Sequence, residues 1–503
     1  MPKAHLTVDP HFTVGTVNRR LFGSFVEHLG RCVYDGIYEP GHPSADADGF
    51  RADVVDLVRE LGVSAIRYPG GNFVSGYRWE DGVGPRAERP RRLDLAWHST
   101  ETNEVGLDEF ARWIDLVGSE LMYAVNLGTR GVQEALDVLE YTNVRSGTRL
   151  SEWRIANGHT EPYGVGMWCL GNEMDGPWQL GHGTAEEYGV LASKTAKAMR
   201  QIDPSLELVV CGSSSAQMPT FGDWERTVLE HTYEDVDYIS CHAYYEEKRG
   251  DLGSFLASAV NMDGFIESVV ATADHVKAVL GSEKTINISF DEWNVWYIDR
   301  YHGVDKIKGI DNWPVAPRLL EDVYSVADAV VFGNLLISLI RHADRVTSAS
   351  LAQLVNVIAP IMTEPGGPAW RQTTFFPFAE TSRLAKGEAL TLKLSSDTYL
   401  TEQYGEVNLV DAVATHDATD GSTAIFLVNR STDSATEVTI DVRALGGVAV
   451  TGARSLTDSD IYAKNTLSEP ERVGLVDNDS VVASDGKVTI TLPPVSWTAL
   501  SLA

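Results

Sequence analysis

The chain has 503 residues, and its 41 Lys and Arg against 71 Asp and Glu give a formal net charge of −30. Nucleic-acid binding needs clustered basic residues, so this charge balance argues against a nucleic-acid partner. Hydrophobic residues make up 43% of the chain and charged residues 22%, which excludes a largely disordered protein. Because one hydrophobic core seldom serves a chain this long, we expect more than one domain.

The first residues lack the apolar stretch of a signal peptide, and no window of about 18 residues is continuously apolar. We therefore expect neither secretion nor a membrane span. Four cysteines without a CxxC pair are typical of reduced thiols in a cytoplasmic protein. No HxH or HExxH pattern is present, so we expect neither a metal ion nor a cofactor.

Short apolar runs alternate with amphipathic helical stretches between about residues 20 and 365. The eight predicted strands are 21–26, 64–68, 121–125, 165–170, 206–211, 236–241, 286–290 and 348–353. Predicted helices lie between them, for example at 50–61, 107–117, 185–202, 265–280 and 323–340. Strands that are apolar on both faces and alternate with helices predict a closed (β/α)8 TIM barrel over residues 15–375. No glycine-rich dinucleotide motif follows a strand, which argues against an open doubly wound sheet and a dehydrogenase.

Helical periodicity disappears after about residue 375, and runs of alternating apolar and polar residues replace it. These runs lie at 390–394, 424–429, 437–442, 487–492 and 496–502. They predict an antiparallel, jelly-roll-like β-sandwich over residues 376–503. Residues 4–8 also alternate, so we expect residues 1–14 to pair into this second domain.

Polar residues cluster at the ends of the predicted barrel strands, where barrel enzymes carry their active sites. Glycoside hydrolysis needs two carboxyl groups across one bond, and Glu173 and Glu292 are the natural pair. Each of them follows an apolar strand, so burial can help to hold one of them protonated near neutral pH. The two strands lie on opposite sides of the barrel mouth, which leaves room for a sugar between the carboxyl groups.

Structural roles compete with functional ones for several neighbouring residues. Glu27 can serve as an ion-pair partner of Arg67, and Asn72 as a turn former in its Gly-Gly-Asn sequence. We expect His28 and His242 to be hydrogen-bonded structural residues rather than metal ligands. Exposed indoles in loops often stack on sugar rings, and three tryptophans lie in predicted loops: Trp97, Trp178 and Trp296.

Four blocks at the strand ends read FGSFVEHLG at 22–30, RYPGGNF at 67–73, WCLGNEMDGPW at 168–178 and DEWNVW at 291–296. In this order they are similar to the α-L-arabinofuranosidases of glycoside hydrolase family 51. The similarity extends over nearly the whole chain. An Asn-Glu pair alone is a weak signal, whereas the four blocks together are specific.

This resemblance implies that Glu173 is the general acid/base, that Glu292 is the nucleophile and that Asn172 binds the sugar 2-hydroxyl. The other implied contacts are with sugar hydroxyls for Glu27, Asn72 and Gln353, with Glu292 for Tyr244, and with the leaving group for Trp97, Trp296 and Trp178. The implied activity is exo-acting release of terminal L-arabinofuranose from arabinan, arabinoxylan or derived oligosaccharides, by double displacement with retained configuration. The resemblance also implies a homo-oligomer, a hexamer.

Two other functions compete with this one. An endo-acting β-glucanase or xylanase uses the same barrel, and product analysis separates it from an exo-enzyme. A non-catalytic carbohydrate-binding protein would not need both glutamates. The sequence leaves open the linkage preference among α-1,2, α-1,3 and α-1,5, the arabinan or arabinoxylan origin of the substrate, and the conformation of the loop 300–317.

Overall fold

The computed structural model describes residues 1–503 and contains the predicted barrel. Eight parallel strands close into it: β3 (Gly23–Phe25), β4 (Ala65–Tyr68), β7 (Glu120–Ala124), β8 (Met167–Leu170), β9 (Glu207–Val210), β10 (Tyr238–Tyr245), β11 (Asn287–Val295) and β12 (Val346–Ala352). Two strands precede the barrel, β1 (Lys3–Thr7) and β2 (Thr13–Thr16), and two short hairpins decorate it, formed by β5 (Arg92–Asp94) with β6 (Ser99–Glu101) and by β13 (Ile361–Thr363) with β14 (Ala369–Arg371).

The helices cover the barrel as the alternating pattern predicts. They are α1 (Ala52–Leu61), α2 (Leu107–Val117), α3 (Val132–Asn143), α4 (Arg149–Ala156), α5 (Ala185–Ile202), α6 (Asp223–Thr232), α7 (Leu252–Leu256), α8 (Ala259–Leu280), α9 (Ile298–Arg300), α10 (Val326–Arg341) and α11 (Phe375–Leu384). Helix α5 begins with a capping box, in which the Thr184 hydroxyl accepts from the Glu187 N–H and the Glu187 carboxylate accepts from the Thr184 N–H.

Two barrel strands run farther than the predicted segments 236–241 and 286–290. Strand β10 continues to Tyr245 and β11 to Val295, and both stay paired and almost wholly buried to their ends. His242, Tyr244 and Glu292 therefore lie within strands instead of after them. Polar residues hid this continuation, because the sequence pattern ends a strand where charge begins.

Helix α11 corrects the expectation that helices end at about residue 375. Its sequence carries a proline in the first turn, where a missing N–H costs nothing, because the first four N–H groups of a helix have no partner. Phe375 and Phe378, three residues apart, are buried on one face. Packing of that face stabilises a helix that propensity alone does not reveal.

The C-terminal region forms two sheets, as predicted. Its strands are β15 (Glu388–Leu390), β16 (Lys393–Ser396), β17 (Thr398–Thr401), β18 (Gly405–Asn408), β19 (Val410–His416), β20 (Thr423–Asn429), β21 (Thr436–Asp441), β22 (Val450–Leu456), β23 (Leu475–Asp477), β24 (Val482–Ser484), β25 (Lys487–Leu492) and β26 (Ser496–Leu502). One large sheet has the order β16-β1-β21-β25-β24 and the other β2-β15-β19-β20-β26-β22-β23, while β17 and β18 form a separate two-stranded sheet. A core of 17 buried apolar residues from both sheets lies between them.

Both strands from the N-terminus join these sheets. Strand β1 lies antiparallel to β16 but parallel to β21, so the sandwich is not purely antiparallel as predicted. A parallel pair needs a long connection, and here the entire barrel separates β1 from β21. The division of the chain at about residue 375 stays a prediction.

Helix α10 joins the barrel to the sheets through close packing and a buried polar cluster. A side chain at Gly333 would approach the Trp497 ring to 2.3 Å, so only glycine fits there. Asp411 accepts from Asn334 at 2.7 Å and from Arg430 at 2.8 Å, and it also pairs with Arg341. No helix of the structure combines the length and apolar character that crossing a membrane requires.

Candidate active site

A cavity of about 610 Å³ opens at the C-terminal ends of the barrel strands. The predicted site residues that line it are Glu27, Asn72, Trp97, Glu173, Trp178, Tyr244, Glu292, Trp296 and Gln353. Asn172 is fully buried beside the cavity and contacts its residues through hydrogen bonds. The barrel thus brings together side chains that are up to 326 residues apart in the sequence.

Glu173 and Glu292 face each other across this cavity. One carboxylate oxygen of each lies within 4.8 Å of the other and of a His242 ring nitrogen. Glu173 follows β8 with a φ of 44°, a left-handed backbone conformation that costs a non-glycine residue about 1 kcal/mol or more. The turn after β8 therefore directs the Glu173 side chain at some expense in backbone energy.

Glu292 is fixed by two donors. Arg67 donates from Nη1 to Oε1 at 2.8 Å, and the Tyr244 hydroxyl donates to Oε2 at 2.7 Å. Burial raises the pKa of Glu292, while the nearby charges of His242 and Arg67 act to lower it. The two donors hold the carboxylate in one orientation.

Glu173 is held by a different pair of groups. The Trp178 indole N–H donates to Oε2 at 2.6 Å, and His242 Nδ1 lies 2.9 Å from Oε1. The other His242 nitrogen, Nε2, is 2.8 Å from Asp291 Oδ1. Burial would lower the pKa of His242, but the charge of Glu292 and the bonds to Asp291 and Glu173 raise it well above its usual value.

The same three groups are the one place where metal-ligand atoms converge: Glu173, His242 and Glu292. Each ligand atom is already committed to a protein partner, since His242 bonds Glu173 and Asp291 while Tyr244 and Arg67 bond Glu292. The His242 ring joins the carboxylates of Glu173 and Asp291 through hydrogen bonds, an arrangement that is suited to moving protons.

Glu27 lies at the other side of the cavity with its own hydrogen-bond partners. Its Oε1 accepts from the Phe73 N–H and the Trp97 indole N–H, both at 2.8 Å, and Gln353 donates to Oε2 at 3.1 Å. Burial raises the pKa of Glu27 to about 8, and the first two hydrogen bonds act against this rise. The alternative pairing of Glu27 with Arg67 is wrong, because Arg67 binds Glu292 and Asn172 instead.

Aromatic rings form the walls nearer to solvent. Trp97 is almost buried, whereas Trp178 is 52% exposed at the rim. Trp296 packs edge-on against Tyr244, with ring centroids 5.0 Å apart. The loop 300–317, whose shape the sequence did not reveal, starts with a π-helical turn (Tyr301–Asp305) that places Tyr301 against Trp97 and Trp296.

Sequence reasoning did not assign Arg67, His242 and Asp291 to the site. Asp291 adjoins Glu292 in β11, and strict strand alternation would turn the two side chains to opposite faces. The strand pairing shifts register between Phe290 and Trp293, and both carboxylates contact His242. That irregularity carries no sequence signal.

His28, and Asn356 in the turn after β12, have structural roles. His28 is buried between Glu101 and the Tyr68 hydroxyl and contacts neither Glu173 nor Glu292, so it is a hydrogen-bonded structural residue as expected. Asn356 donates to the Arg31 carbonyl and accepts from the Thr363 N–H. Gln353, and not Asn356, is the amide that lines the cavity.

The barrel with its paired carboxylates defines a glycoside hydrolase. The model of the α-L-arabinofuranosidase 1 domain matches residues 57–251, and that of the α-L-arabinofuranosidase C-terminal domain matches residues 291–496. The chain is 61% identical to the exo-α-(1→6)-L-arabinofuranosidase of Bifidobacterium longum, over 99% of this chain and 97% of that protein. It is 60% identical to the intracellular exo-α-(1→5)-L-arabinofuranosidase of Streptomyces lividans, over 100% of this chain and 76% of that protein.

Solved structures agree with these sequence comparisons. A family 51 α-L-arabinofuranosidase from Bifidobacterium longum superposes with a TM-score of 0.96 at 51% identity, covering 100% of both chains. The arabinose complex of the Thermotoga maritima enzyme gives 0.87 at 32% identity, covering 100% of this chain and 99% of that one. The chain belongs to the α-L-arabinofuranosidases of glycoside hydrolase family 51.

Proposed function

We propose that this protein is an exo-acting, retaining α-L-arabinofuranosidase that releases terminal L-arabinofuranose from arabinan, arabinoxylan or derived oligosaccharides. The observation that carries the proposal is the approach of Glu173 and Glu292 to within 4.8 Å. Retaining glycosidases hold their carboxyl groups about 5–5.5 Å apart, whereas inverting enzymes need about 6.5 Å or more to admit a water molecule.

In the first chemical step, Glu292 attacks the anomeric carbon and forms a covalent ester while the bond to the leaving oxygen breaks. Glu173 transfers its proton to that oxygen, so the leaving group departs as a neutral alcohol. Arg67 and Tyr244 keep the Glu292 oxygens in place during the attack. His242 and Trp178 do the same for Glu173.

In the second step, Glu173 takes a proton from water, which attacks the anomeric carbon and releases Glu292. Two displacements at one carbon restore its original configuration. We assign binding of the furanose hydroxyls to Asn172, Glu27, Asn72 and Gln353, and contact with the leaving group to Trp97, Trp296 and Trp178. All steps use side chains of this chain and require neither metal nor cofactor.

The proposal is tested by product analysis with the purified enzyme on α-1,2-, α-1,3-, α-1,5- and α-1,6-linked arabinofuranosyl oligosaccharides. We expect free arabinose as the first product, with the chain shortened by one sugar at a time. Shorter backbone fragments without early arabinose would identify the endo-glycanase, and no product at all would favour a binding protein. Relatives named for α-(1→6) and α-(1→5) linkages make these the first two to compare.

The acid/base role of Glu173 can be tested by comparing two substrates whose leaving groups differ in their need for a proton. Nitrophenolate leaves without a proton, whereas a sugar alcohol needs one, so Glu173→Ala is expected to slow the disaccharide much more than the nitrophenyl arabinofuranoside. General acid catalysis contributes roughly 10²–10⁴-fold, which sets the size of the difference. Equal losses on both substrates would contradict the assignment.

We also propose a cytoplasmic location and a homo-hexameric assembly that acts on short, imported oligosaccharides. Support for the location comes from relatives that are named intracellular, including those of Streptomyces lividans and Bacillus subtilis. Light scattering on the purified protein tests the assembly: a mass six times 55.0 kDa is expected, and the mass of a single chain would refute it.

A further inference from the structure

Glu246 lines the cavity together with Glu27, Glu173 and Glu292, and it is the one of these four carboxylates that the proposed mechanism does not use. It follows directly after β10 and lines the cavity together with Tyr244. Its side chain is only 6% exposed, and its Oε1 lies 3.2 Å from the ammonium of Lys248, whose side chain is 56% exposed. No backbone group or other side chain of the protein donates a hydrogen bond to this oxygen.

The position of Glu246 follows from the strand that carries it. Side chains at every second residue of a strand share one face, so His242, Tyr244 and Glu246 point the same way. His242 contacts Glu173 and Tyr244 contacts Glu292. Two residues advance a strand by about 6.6 Å, and pairing continues to its end, where Trp296 N–H donates to the Tyr245 carbonyl at 2.9 Å. Glu246 therefore lies one step beyond the catalytic pair, toward the cavity mouth.

We propose that Glu246 accepts hydrogen bonds from the hydroxyl groups of the leaving-group sugar and thereby selects a neutral sugar as leaving group. This inference rests on the proposed exo-arabinofuranosidase activity. A leaving group in this enzyme lies on the solvent side of the scissile bond, at the level of Glu246. Its one ion-pair partner, Lys248, is on an exposed side chain, so acceptor positions of the buried carboxylate remain for a substrate hydroxyl.

The chemistry of this group favours one class of ligand. A carboxylate can only accept, so it matches hydroxyl groups and disfavours a second carboxylate such as that of a uronic acid. A site built to bond a hydroxyl discriminates strongly against an analogue that lacks it, because its polar group is left unpaired. Nitrophenol is such an analogue, since it offers no hydroxyl beyond the scissile oxygen.

The test measures the ratio of kcat/KM on two substrates: the arabinofuranosyl disaccharide that the native enzyme cleaves fastest, and 4-nitrophenyl α-L-arabinofuranoside. Glu246→Ala is expected to lower this ratio by about 10- to 100-fold, the range for a hydrogen bond to a charged group. Glu246→Gln keeps an acceptor without the charge, so its ratio is expected to fall between that of the native enzyme and that of Glu246→Ala. The matched control is Glu247→Gln. The Glu247 carboxylate accepts from the Tyr462 hydroxyl outside the cavity, so the ratio of this variant is expected to stay native.

Several outcomes would overturn the inference. An unchanged ratio for Glu246→Ala, or equal losses on both substrates, would mean that Glu246 only supports the local structure. Faster native cleavage when the leaving sugar is a uronic acid would assign the subsite to Lys248 and Lys306, which also line the cavity. Failure of the native enzyme to release arabinose from either substrate would instead refute the proposed function, so the two failures are distinguishable.

Discussion

The barrel mouth and the core of the C-terminal sheets bury different kinds of side chains. The 17 residues between the two sheets are all apolar, as the alternating pattern of their strands requires. The barrel mouth buries charged groups, among them Arg67, His242, Asp291 and Glu292, each at most 5% exposed. Burying charge costs stability, so the chain does this only where function or complete pairing offsets the cost.

A third region shows what complete pairing looks like. Asp411, at the junction of α10 with the sheets, is surrounded by Asn334, Arg341 and Arg430. Burial would raise the pKa of Asp411, but the two arginines lower it below its usual value. The pKa values of Glu292 and Glu27 are raised instead. At these three acids the direction of the pKa shift thus depends on whether neighbouring positive charge outweighs burial.

The contrast between the two regions is tested most directly at Glu292, the proposed nucleophile. Glu292→Ala removes the attacking oxygen, so kcat/KM is expected to fall on the order of 10⁴-fold or more, with only binding and polar stabilisation left. Added azide is expected to restore turnover by attacking from the vacated side, which yields the β-azide. Near-native activity of this variant, or an α-azide product, would exclude Glu292 as nucleophile.

The structural acid is expected to behave in the opposite way. Asp411→Ala leaves Arg430 without its acidic partner and Arg341 with Asp263 alone, and it is expected to lower the free energy of unfolding by about 3–5 kcal/mol, measured by urea titration. The folded fraction should keep native kcat/KM, because Asp411 lies outside the catalytic cavity. If Asp411→Ala lost activity while its free energy of unfolding stayed native, Asp411 would have a role in the cavity and not in stability.

The raised pKa of Glu27 can be tested through the pH dependence of the free energy of unfolding. Its pKa is raised from 4.5 to about 8 by burial, so the folded chain keeps a proton that the unfolded chain loses. The folded state then binds more protons between these values, and the native free energy of unfolding falls as pH rises through this window. Glu27→Gln does not titrate, so its stability relative to native should rise by about 3 kcal/mol between pH 5 and pH 8. A difference that is constant with pH would contradict the raised pKa.

The smallest effect is expected at the rim. Trp178→Phe keeps an aromatic ring but removes the N–H that donates to Glu173 at 2.6 Å. A hydrogen bond of this kind is worth about 1.4 kcal/mol or more, so kcat/KM on a disaccharide should fall about 10-fold. Trp153→Phe is the control, since Trp153 packs against Trp79 and Tyr141 away from the cavity. Equal behaviour of the two variants would leave Trp178 without a role in holding Glu173.

Much of the fold could be predicted because its periodicity is strong. The alternation of apolar strands with helices gave the barrel, and period-two runs gave the sheets, including the strand at the N-terminus. Helix α11 was not predicted, because the packing of Phe375 and Phe378 stabilises it and its composition does not indicate a helix. The parallel pairing of β1 with β21 joins segments more than 400 residues apart, and no local pattern encodes such a choice.

The site was predictable as far as strand ends reveal it. Glu173 and Glu292 are carboxylates at opposite strand ends, and the structure brings them together. The contacts of His242 with Asp291 and of Arg67 with Glu292 depend on irregular strand pairing and on distances across the barrel. Residue spacing encodes neither contact. Glu246 was missed because β10 continues to Tyr245, past its predicted end at residue 241, and only this longer strand carries Glu246 to the cavity.

A time-resolved proton NMR experiment on cleavage of an arabinofuranosyl disaccharide tests most directly whether the reaction is a double displacement. Attack by Glu292 followed by water, with Glu173 serving as acid and then base, predicts that α-L-arabinofuranose forms first and mutarotates only later. If β-L-arabinofuranose appears first, a single displacement by water is at work. Glu292 would then not be the nucleophile, and the close pairing of the two carboxylates would need another explanation.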